Sequence, residues 1–356
     1  MFAVRPGLDA IKSYHVDEAD WRVKLDANER AEVLPAAVQA ELTARLAALP
    51  ANRYPEMGQQ GLRTAIAAGL GLAAANVAVG NGSSEILAAL CHVFGGGGRA
   101  IVYPNPSFSM YRIYVQLADS RPVAVALDDV FSLDPAKVVA AARSEQAGLV
   151  LLCNPNNPTG GTMAAEAVEQ VVAEAGCPVV VDEAYFEFFQ GRSALGLLGR
   201  YPNVIVARTF SKAYGLAAAR VGYALAGEAI MAPLNKVLLP YHVNAFSLTA
   251  AAVAWEMKGE FAPGIARTMA ERERLTVALR GLPGIEVFPS ATNFLLVRLA
   301  KAGELSRFLA ARGIGIRDFS VSSSLAGCLR VTVGTAAEND AFLAAAREFS
   351  TGGVRI

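Results

Sequence analysis

Val179-Val180-Val181-Asp182-Glu183-Ala184-Tyr185 and, further on, Val204-Ile205-Val206-Ala207-Arg208-Thr209-Phe210-Ser211-Lys212 decide the fold of this chain. Each is an apolar run that ends in polar, chemistry-bearing residues. Further runs of this kind stand at Asn76–Val79, Ala100–Tyr103, Pro122–Leu127, Leu149–Cys153 and Val221–Ala226. Amphipathic helical patterns lie between several of them, at Ser84–Phe94, Ala136–Arg143 and Ala164–Ala175. Strands apolar on both faces, separated by helices, imply an α/β fold with a mostly parallel central sheet sandwiched by helices. In such sheets ligands bind beyond the carboxyl ends of the strands. Asn157, Asp182 and Lys212 all fall at or just after such ends, in three different crossovers, which points to one shared site.

The pattern changes near Phe261. Ala266–Leu282 predicts a long charged helix, followed by shorter strands at Ile285–Phe288, Phe294–Arg298, Ile314–Arg317 and Leu329–Val333. Helical stretches at Ala302–Arg312 and Glu338–Phe349 intervene, which suggests a smaller α+β domain. The expected division is an N-terminal arm with one helix (Ala36–Leu46) over 1–50, a large domain over 51–262 and a small domain over 263–356. The arm is expected to join the small domain or to cross to a partner subunit. Gly95–Gly98 reads as a helix-ending turn. No internal repeat is present.

With 356 residues, 53% of them hydrophobic, the chain buries a sizeable core and is not disordered. Lys+Arg and Asp+Glu both total 32, a balance without the basic footprint of nucleic-acid or membrane binding. The cysteines at 91, 153, 177 and 328 are far apart and form no CxxC pair, so reduced buried thiols are expected. With histidines only at 15, 92 and 242, no histidine-rich metal site is expected. Met1–Gly7 lacks the apolar core of a signal peptide, and no run of about 18 apolar residues occurs. A cytoplasmic protein is the expectation.

The residues at the strand ends are the parts a pyridoxal phosphate site needs. Lys212 is an amine able to attack an aldehyde, and its small apolar flanks (Ala207, Ala213-Tyr214-Gly215-Leu216) favour a desolvated, more nucleophilic form. Asp182 could hold a pyridinium nitrogen protonated, which is the tuning a protein adds to this cofactor; alone it also reads as a buried structural acid. Asn157 and Tyr185 could both reach the ring's 3-oxygen, although Asn154-Pro155-Asn156-Asn157-Pro158-Thr159-Gly160 also reads as a turn. Ser211 and Arg220 are candidate phosphate ligands. Gly80-Asn81-Gly82-Ser83-Ser84-Glu85 opens a helix, whose free amides suit a phosphate or an ordinary cap. Phe108 could stack on a cofactor ring, and the Tyr54 hydroxyl of Arg53-Tyr54-Pro55 could reach phosphate. Arg317 and Arg330 could bind carboxylates or phosphates bidentately. Neither a GxGxxG nor a GxxxxGK[ST] pattern is present.

These residues make the chain resemble, over nearly its whole length, the fold-type I pyridoxal phosphate aminotransferases, and within them the histidinol-phosphate aminotransferases. The resemblance rests on Leu25–Glu29, Arg53–Pro55, Gly80–Glu85, Asn154–Gly160, Asp182–Tyr185, Thr209–Arg220 and Leu329–Thr335. It implies that Lys212 bonds the cofactor aldehyde, with Asp182 on the ring nitrogen and Asn157 and Tyr185 on the ring oxygen. It further implies phosphate ligands from Ser83, Ser84, Ser211 and Arg220, contacts from Phe108 and Thr209, and Tyr54 donated across a homodimer. On the substrate side it implies Arg330 for an anionic group, Tyr14 and Arg317 near a phosphate, and Asn28. Two stretches depart from the family pattern: Arg30-Ala31-Glu32, where Asn-Pro or Tyr-Pro is common, and Ala217-Ala218-Ala219 before Arg220.

The implied reaction moves an amino group between L-histidinol phosphate and 2-oxoglutarate, with arginines that accept phosphate or carboxylate in one pocket. The rival readings are an aromatic amino acid aminotransferase, a threonine-phosphate decarboxylase and a non-enzymatic effector-sensing domain. The last needs an attached DNA-binding module, for which there is no room before Leu25.

Overall fold

The structure is a computed structural model that describes residues 4–5, 7–11 and 19–352. In chain order the elements begin with β1 (Val23–Leu25), α1 (Ala36–Ala47), α2 (Gln60–Leu70), β2 (Val77–Asn81) and α3 (Gly82–Phe94). Next come β3 (Ala100–Asn105), α4 (Met110–Leu117), β4 (Arg121–Ala126), α5 (Pro135–Ser144), β5 (Leu149–Cys153) and α6 (Ala165–Glu174). They continue with β6 (Val179–Asp182), β7 (Val204–Thr209), β8 (Val221–Ala226), α7 (Glu228–Val237), α8 (Ala245–Glu256) and α9 (Ala262–Arg280). Last are β9 (Glu286–Val287), β10 (Phe294–Arg298), α10 (Ala302–Ala310), β11 (Ile314–Asp318), β12 (Cys328–Thr332) and α11 (Ala336–Ser350).

Seven strands form one sheet in the order β2-β8-β7-β6-β5-β3-β4. Neighbours from β7 across to β4 run parallel, while β8 is antiparallel to both β2 and β7. Strands β5 to β8 are buried at every residue, as expected of strands covered on both faces. Alternate residues feed two cores: Val150, Leu152, Val181 and Val206 on one face, Leu149, Leu151, Val180 and Ile205 on the other.

A second sheet, β1-β11-β12-β10-β9, is antiparallel except for the β1–β11 pair. Its core comes from Leu275, Leu279, Leu305, Leu309, Phe342 and Leu343 of α9, α10 and α11. The N-terminal segment divides between the two bodies. Strand β1 pairs with β11, whereas α1 buries Val38 in the large-sheet core and pairs Arg45 with Glu256 of α8 at 2.6 Å. The arm and helix therefore do not travel together with the small domain. Helix α9 bridges the bodies, with Ile265 and Met269 on the large core and Leu275 and Leu279 on the small one.

Four helices are absent from the sequence-based expectation: α2, α4, α7 and α8. Helix α8 is apolar on nearly every side, so it carries no amphipathic period, and α7 contains Pro233. Helix α3 starts at Gly82, two residues before Ser84, because Gly82 takes φ 75° at the turn. Among the described residues no helix is long and apolar enough to cross a membrane, and no group of three or more His, Cys, Asp or Glu is placed to hold a metal.

Candidate active site

A cavity of about 580 Å³ opens at the carboxyl ends of β5, β6 and β7, facing β11 and β12 of the small sheet. It gathers Asn28, Ser83, Ser84, Phe108, Asn157, Asp182, Tyr185, Thr209, Ser211, Lys212, Arg220, Arg317 and Arg330. Residues expected from three crossovers and two sheets thus meet in one place.

Asp182 is the last residue of β6 and is 3% exposed. Tyr111 of α4 donates its hydroxyl to Oδ2 at 3.0 Å, and the Ala184 amide donates to Oδ1 at 3.2 Å. Burial pushes the carboxyl up to about 6, against the two hydrogen bonds that favour its ionised form. No lysine or arginine pairs with it among the described residues. The carboxylate is therefore oriented but electrostatically uncompensated.

Lys212 sits on the turn after β7, shaped by the Thr209 hydroxyl accepting from the Ser211 amide at 3.1 Å. Its amine donates to the Ala27 carbonyl at 3.2 Å. Burial, and then the positive charge of Arg330, push the amine down to about 7. A large fraction is neutral and nucleophilic near neutral pH. Lys212 is half-buried on the cavity wall, so the desolvation expected from the small flanking residues is partial.

One rim of the cavity is a cradle for an anion. Ser83 and Ser84 lie in the first turn of α3, where backbone amides have no intrahelical partner. Arg220, held at φ 54°, donates to the Ser211 hydroxyl at 3.1 Å. Close packing makes this cradle. A Cβ on Gly82 would stand 2.5 Å from Nη2 of Arg220, and one on Gly222 would stand 2.2 Å from the Ser83 amide nitrogen.

On the opposite wall Arg330 donates to Oδ1 of Asn157 at 2.7 Å and to the Asp26 carbonyl at 2.6 Å. Arg330 is not at a strand end, as expected, but in the middle of β12, between β11 and β10. It lies directly across from Arg317. Like charges opposed on a ladder destabilise it unless neighbouring groups compensate them. Asn28, at φ 54° and 1% exposed, donates its side-chain amide to the Tyr185 hydroxyl at 3.0 Å and its backbone amide to Thr332 at 2.9 Å.

Tyr54 is not in this cavity. It is 82% exposed and stacks on Tyr241 with centroids 4.8 Å apart. Tyr14 lies outside the described residues. Phe108 lines the cavity and packs edge-on against Tyr111 at 5.6 Å. Tyr111, the carbonyls of Asp26 and Ala27, and Arg112 on the cavity rim were not anticipated. The first three act through tertiary contacts that leave no mark on the sequence. Arg112 lies in the first turn of α4, a helix that was not foreseen.

Sheet order, covering helices and strand-end site together define a transferase of fold type I. Residues 22–345 match the family described as aminotransferase class I and II. A histidinol-phosphate aminotransferase of Thermoanaerobacter pseudethanolicus is 38% identical over 95% of each chain. Another, from Thermococcus kodakarensis, is 40% identical over 97% of this chain and 98% of its own. The crystal structure of histidinol-phosphate aminotransferase from Sinorhizobium meliloti in complex with pyridoxal-5'-phosphate is similar with a TM-score of 0.89, at 28% identity over 99% of both chains. The chain belongs to the aminotransferase class I and II family.

Proposed function

We propose that this chain is a pyridoxal phosphate-dependent transaminase that converts L-histidinol phosphate and 2-oxoglutarate to imidazole acetol phosphate and L-glutamate. The observation that carries the reading is the Lys212 amine, pushed down to about 7 inside a cavity whose floor holds the buried Asp182. The substrate assignment is supported by relatives named for histidinol phosphate at 38–40% identity over almost the full chain.

The residues fit the cofactor. A buried carboxylate without a basic partner suits a cationic ring nitrogen, and the cradle that a Cβ on Gly82 or Gly222 would fill suits a phosphate. Asp182 would face the ring nitrogen, Asn157 and Tyr185 the ring oxygen, and Ser83, Ser84, Ser211 and Arg220 the phosphate, with Phe108 and Thr209 lining the ring's pocket. Pyridoxal phosphate, when bound, supplies an aldehyde that captures amines and a ring that accepts the electron pair left by a departing α-proton. Lys212 would hold the aldehyde, and its amine, pushed down to about 7 in the cofactor-free chain, would be suited to move the proton at the α-carbon of a bound substrate. Asp182 would face the ring nitrogen as a carboxylate and favour its protonated form. Arg330, anchored by Asn157 and the Asp26 carbonyl, would hold the anionic group of either substrate, with Arg317 and Asn28 lining the same cavity and Tyr14 assigned to the substrate by the resemblance alone.

Tyr54, exposed and stacked on the likewise exposed Tyr241, suits a homodimer in which it completes the partner's site. A cytoplasmic location and the division at 50 and 262 belong to the same proposal, with α1 an exception that packs on the large body.

The test is the visible spectrum of the purified protein with L-histidinol phosphate and, separately, L-phenylalanine. Bleaching by histidinol phosphate and recovery with 2-oxoglutarate support the assignment. Bleaching by phenylalanine alone moves it to the aromatic aminotransferases, and release of carbon dioxide from a phosphorylated amino acid moves it to the decarboxylases. No band after adding pyridoxal phosphate overturns the reading.

A further inference from the structure

Arg30 stands where the family pattern calls for a different residue, and it is built into the protein with care. Its side chain is only 6% exposed. Nη1 donates to the Ala213 carbonyl at 2.9 Å, Nη2 to Glu32 at 3.0 Å, and the guanidinium lies 5.2 Å from the Phe261 ring centre. Glu32 is gripped from its other side by Arg267 of α9, at 2.6 and 2.9 Å. Two glycines make room for Arg30. A Cβ on Gly264 would lie 2.2 Å from Nη2, and one on Gly215, at φ +63°, would lie 3.0 Å from its Cδ. Burying an arginine is costly unless its donors are met. Nη1 and Nη2 are met here while Nε is buried without a partner among the described residues, so Glu32, Phe261 and the room left by two glycines carry the rest.

Its contact decides what it does. Ala213 follows Lys212 directly, and the strip that carries Arg30 also carries Ala27, whose carbonyl accepts from the Lys212 amine at 3.2 Å. Two hydrogen bonds running in opposite directions therefore close a ring: Ala27 carbonyl to Lys212 amine, Lys212 to Ala213 by the chain, Ala213 carbonyl to Arg30, and back along residues 30 to 27. We propose that Arg30 is a positioning residue for Lys212, fixing the strip 26–30 against the lysine turn so that the amine is aimed and kept dry. A lysine stem is flexible and cannot hold its own direction. Arg30, Ala213, Gly264 and Thr268 line one narrow crevice behind this turn, and truncating Arg30 would leave space there in place of its side chain. The same strip presents Asn28 to Tyr185, so a slip would disturb both residues together.

The experiment uses cofactor-free protein and reads the pH dependence of Lys212 carbamylation by cyanate, followed by peptide mass spectrometry, with the surface lysines as internal references. The unaltered protein should show a midpoint near 7. Arg30→Ala should raise it by about one unit, which lowers the reactivity of Lys212 at pH 7 roughly fivefold. Gly264→Ala, which displaces the guanidinium without removing its charge, should move the midpoint the same way. Arg30→Lys should restore part of the shift, since an ammonium can still donate to the Ala213 carbonyl. Arg330, Glu29, Arg220 and Lys24 are unchanged in every variant, and Gly264→Ala also keeps the Arg30 charge, so its shift reports displacement and not a lost cation. In the holoenzyme Arg30→Ala should lower kcat about tenfold with KM changed less than about twofold, the signature of misplacement rather than lost binding. An unchanged midpoint in Gly264→Ala and Arg30→Ala, or in Gly264→Ala alone if Arg30→Ala does not fold, overturns the proposal. The holoenzyme readout rests on the transaminase reading, but the carbamylation midpoint does not, so the two can fail separately.

Discussion

Asp182 and Lys212, on the large-sheet wall of the cavity, owe their chemistry to being taken out of water: burial is the leading cause of both their shifts. Arg317 and Arg330, on the small-sheet wall, owe theirs to strand pairing and to partners far away in the chain, Asp26 and Asn157. The first wall is made by turns that leave a closed core and are fixed within a few residues of their strands. The second is assembled by contacts between two bodies. The two walls thus differ in origin: one follows from local chain order, the other from pairing across the fold.

The contrast can be broken most severely at Lys212. Lys212→Ala should cost more than ~10³-fold in turnover, because both amine capture and proton transfer are lost. Transaminase turnover that survives in this variant would remove the large-sheet wall from the chemistry. The burial argument also fixes a pH dependence in cofactor-free protein. Below about pH 7 the amine is charged in the folded and the unfolded chain alike, so the folded protein carries the whole cost of burying it. As pH rises from about 7 toward the ordinary lysine value of 10.5, the folded chain alone sheds the proton and the cost disappears. Lys212→Met should therefore stabilise the protein at pH 6, with the advantage shrinking by pH 10 in urea unfolding. A constant difference would show that the amine is solvated.

Arg330→Ala tests the other wall. It removes both ties to Asn157 and Asp26, and kcat/KM should fall ~10²-fold for the amino donor and for the keto acid. Loss for only one of them would show that the two anions do not share Arg330. Next in size is Gly222→Ala, whose Cβ would press on the Ser83 amide. It should weaken pyridoxal phosphate binding about tenfold in equilibrium titration while leaving Lys212 reactivity with cyanate unchanged. Tyr54→Phe should have the smallest effect, about threefold or less on cofactor affinity, since a single hydrogen bond from an exposed ring is at stake. An equal effect in protein diluted to monomer would remove Tyr54 from the partner's site.

The large-sheet wall was legible in the sequence because its signals are local. Val179–Asp182 and Val204–Ala207 announce strands, and the residues just past them fall at strand ends by necessity. Neither Tyr111 nor α4 was read: Tyr111, Tyr114 and Val115 do recur at helical spacing, but eight residues give the period barely two turns in which to show. Nor could α8, which is apolar on almost every side. Arg330 looked like a strand-end residue because a five-residue strand does not reveal which neighbours it will pair with.

The departure at Arg30-Ala31-Glu32 shows the same limit from the other side. As sequence it left the shape of the first loop open. In the fold it closes on Gly264, Gly215 and Arg267, residues remote in the chain that no local rule connects to it.

By itself, then, the sequence determined the sandwiched α/β sheet, the convergence of Asn157, Asp182 and Lys212, and the amine–carboxylate–anion chemistry they imply, because strand ends and turn residues are set by short-range patterning. Only the tertiary structure decided how dry Lys212 is, which residues hold Arg330 in place, that α1 leaves β1 to join the large body, and that Tyr54 faces outward. Those properties depend on what packs around a group, and packing is fixed by contacts between residues that local patterning never brings together.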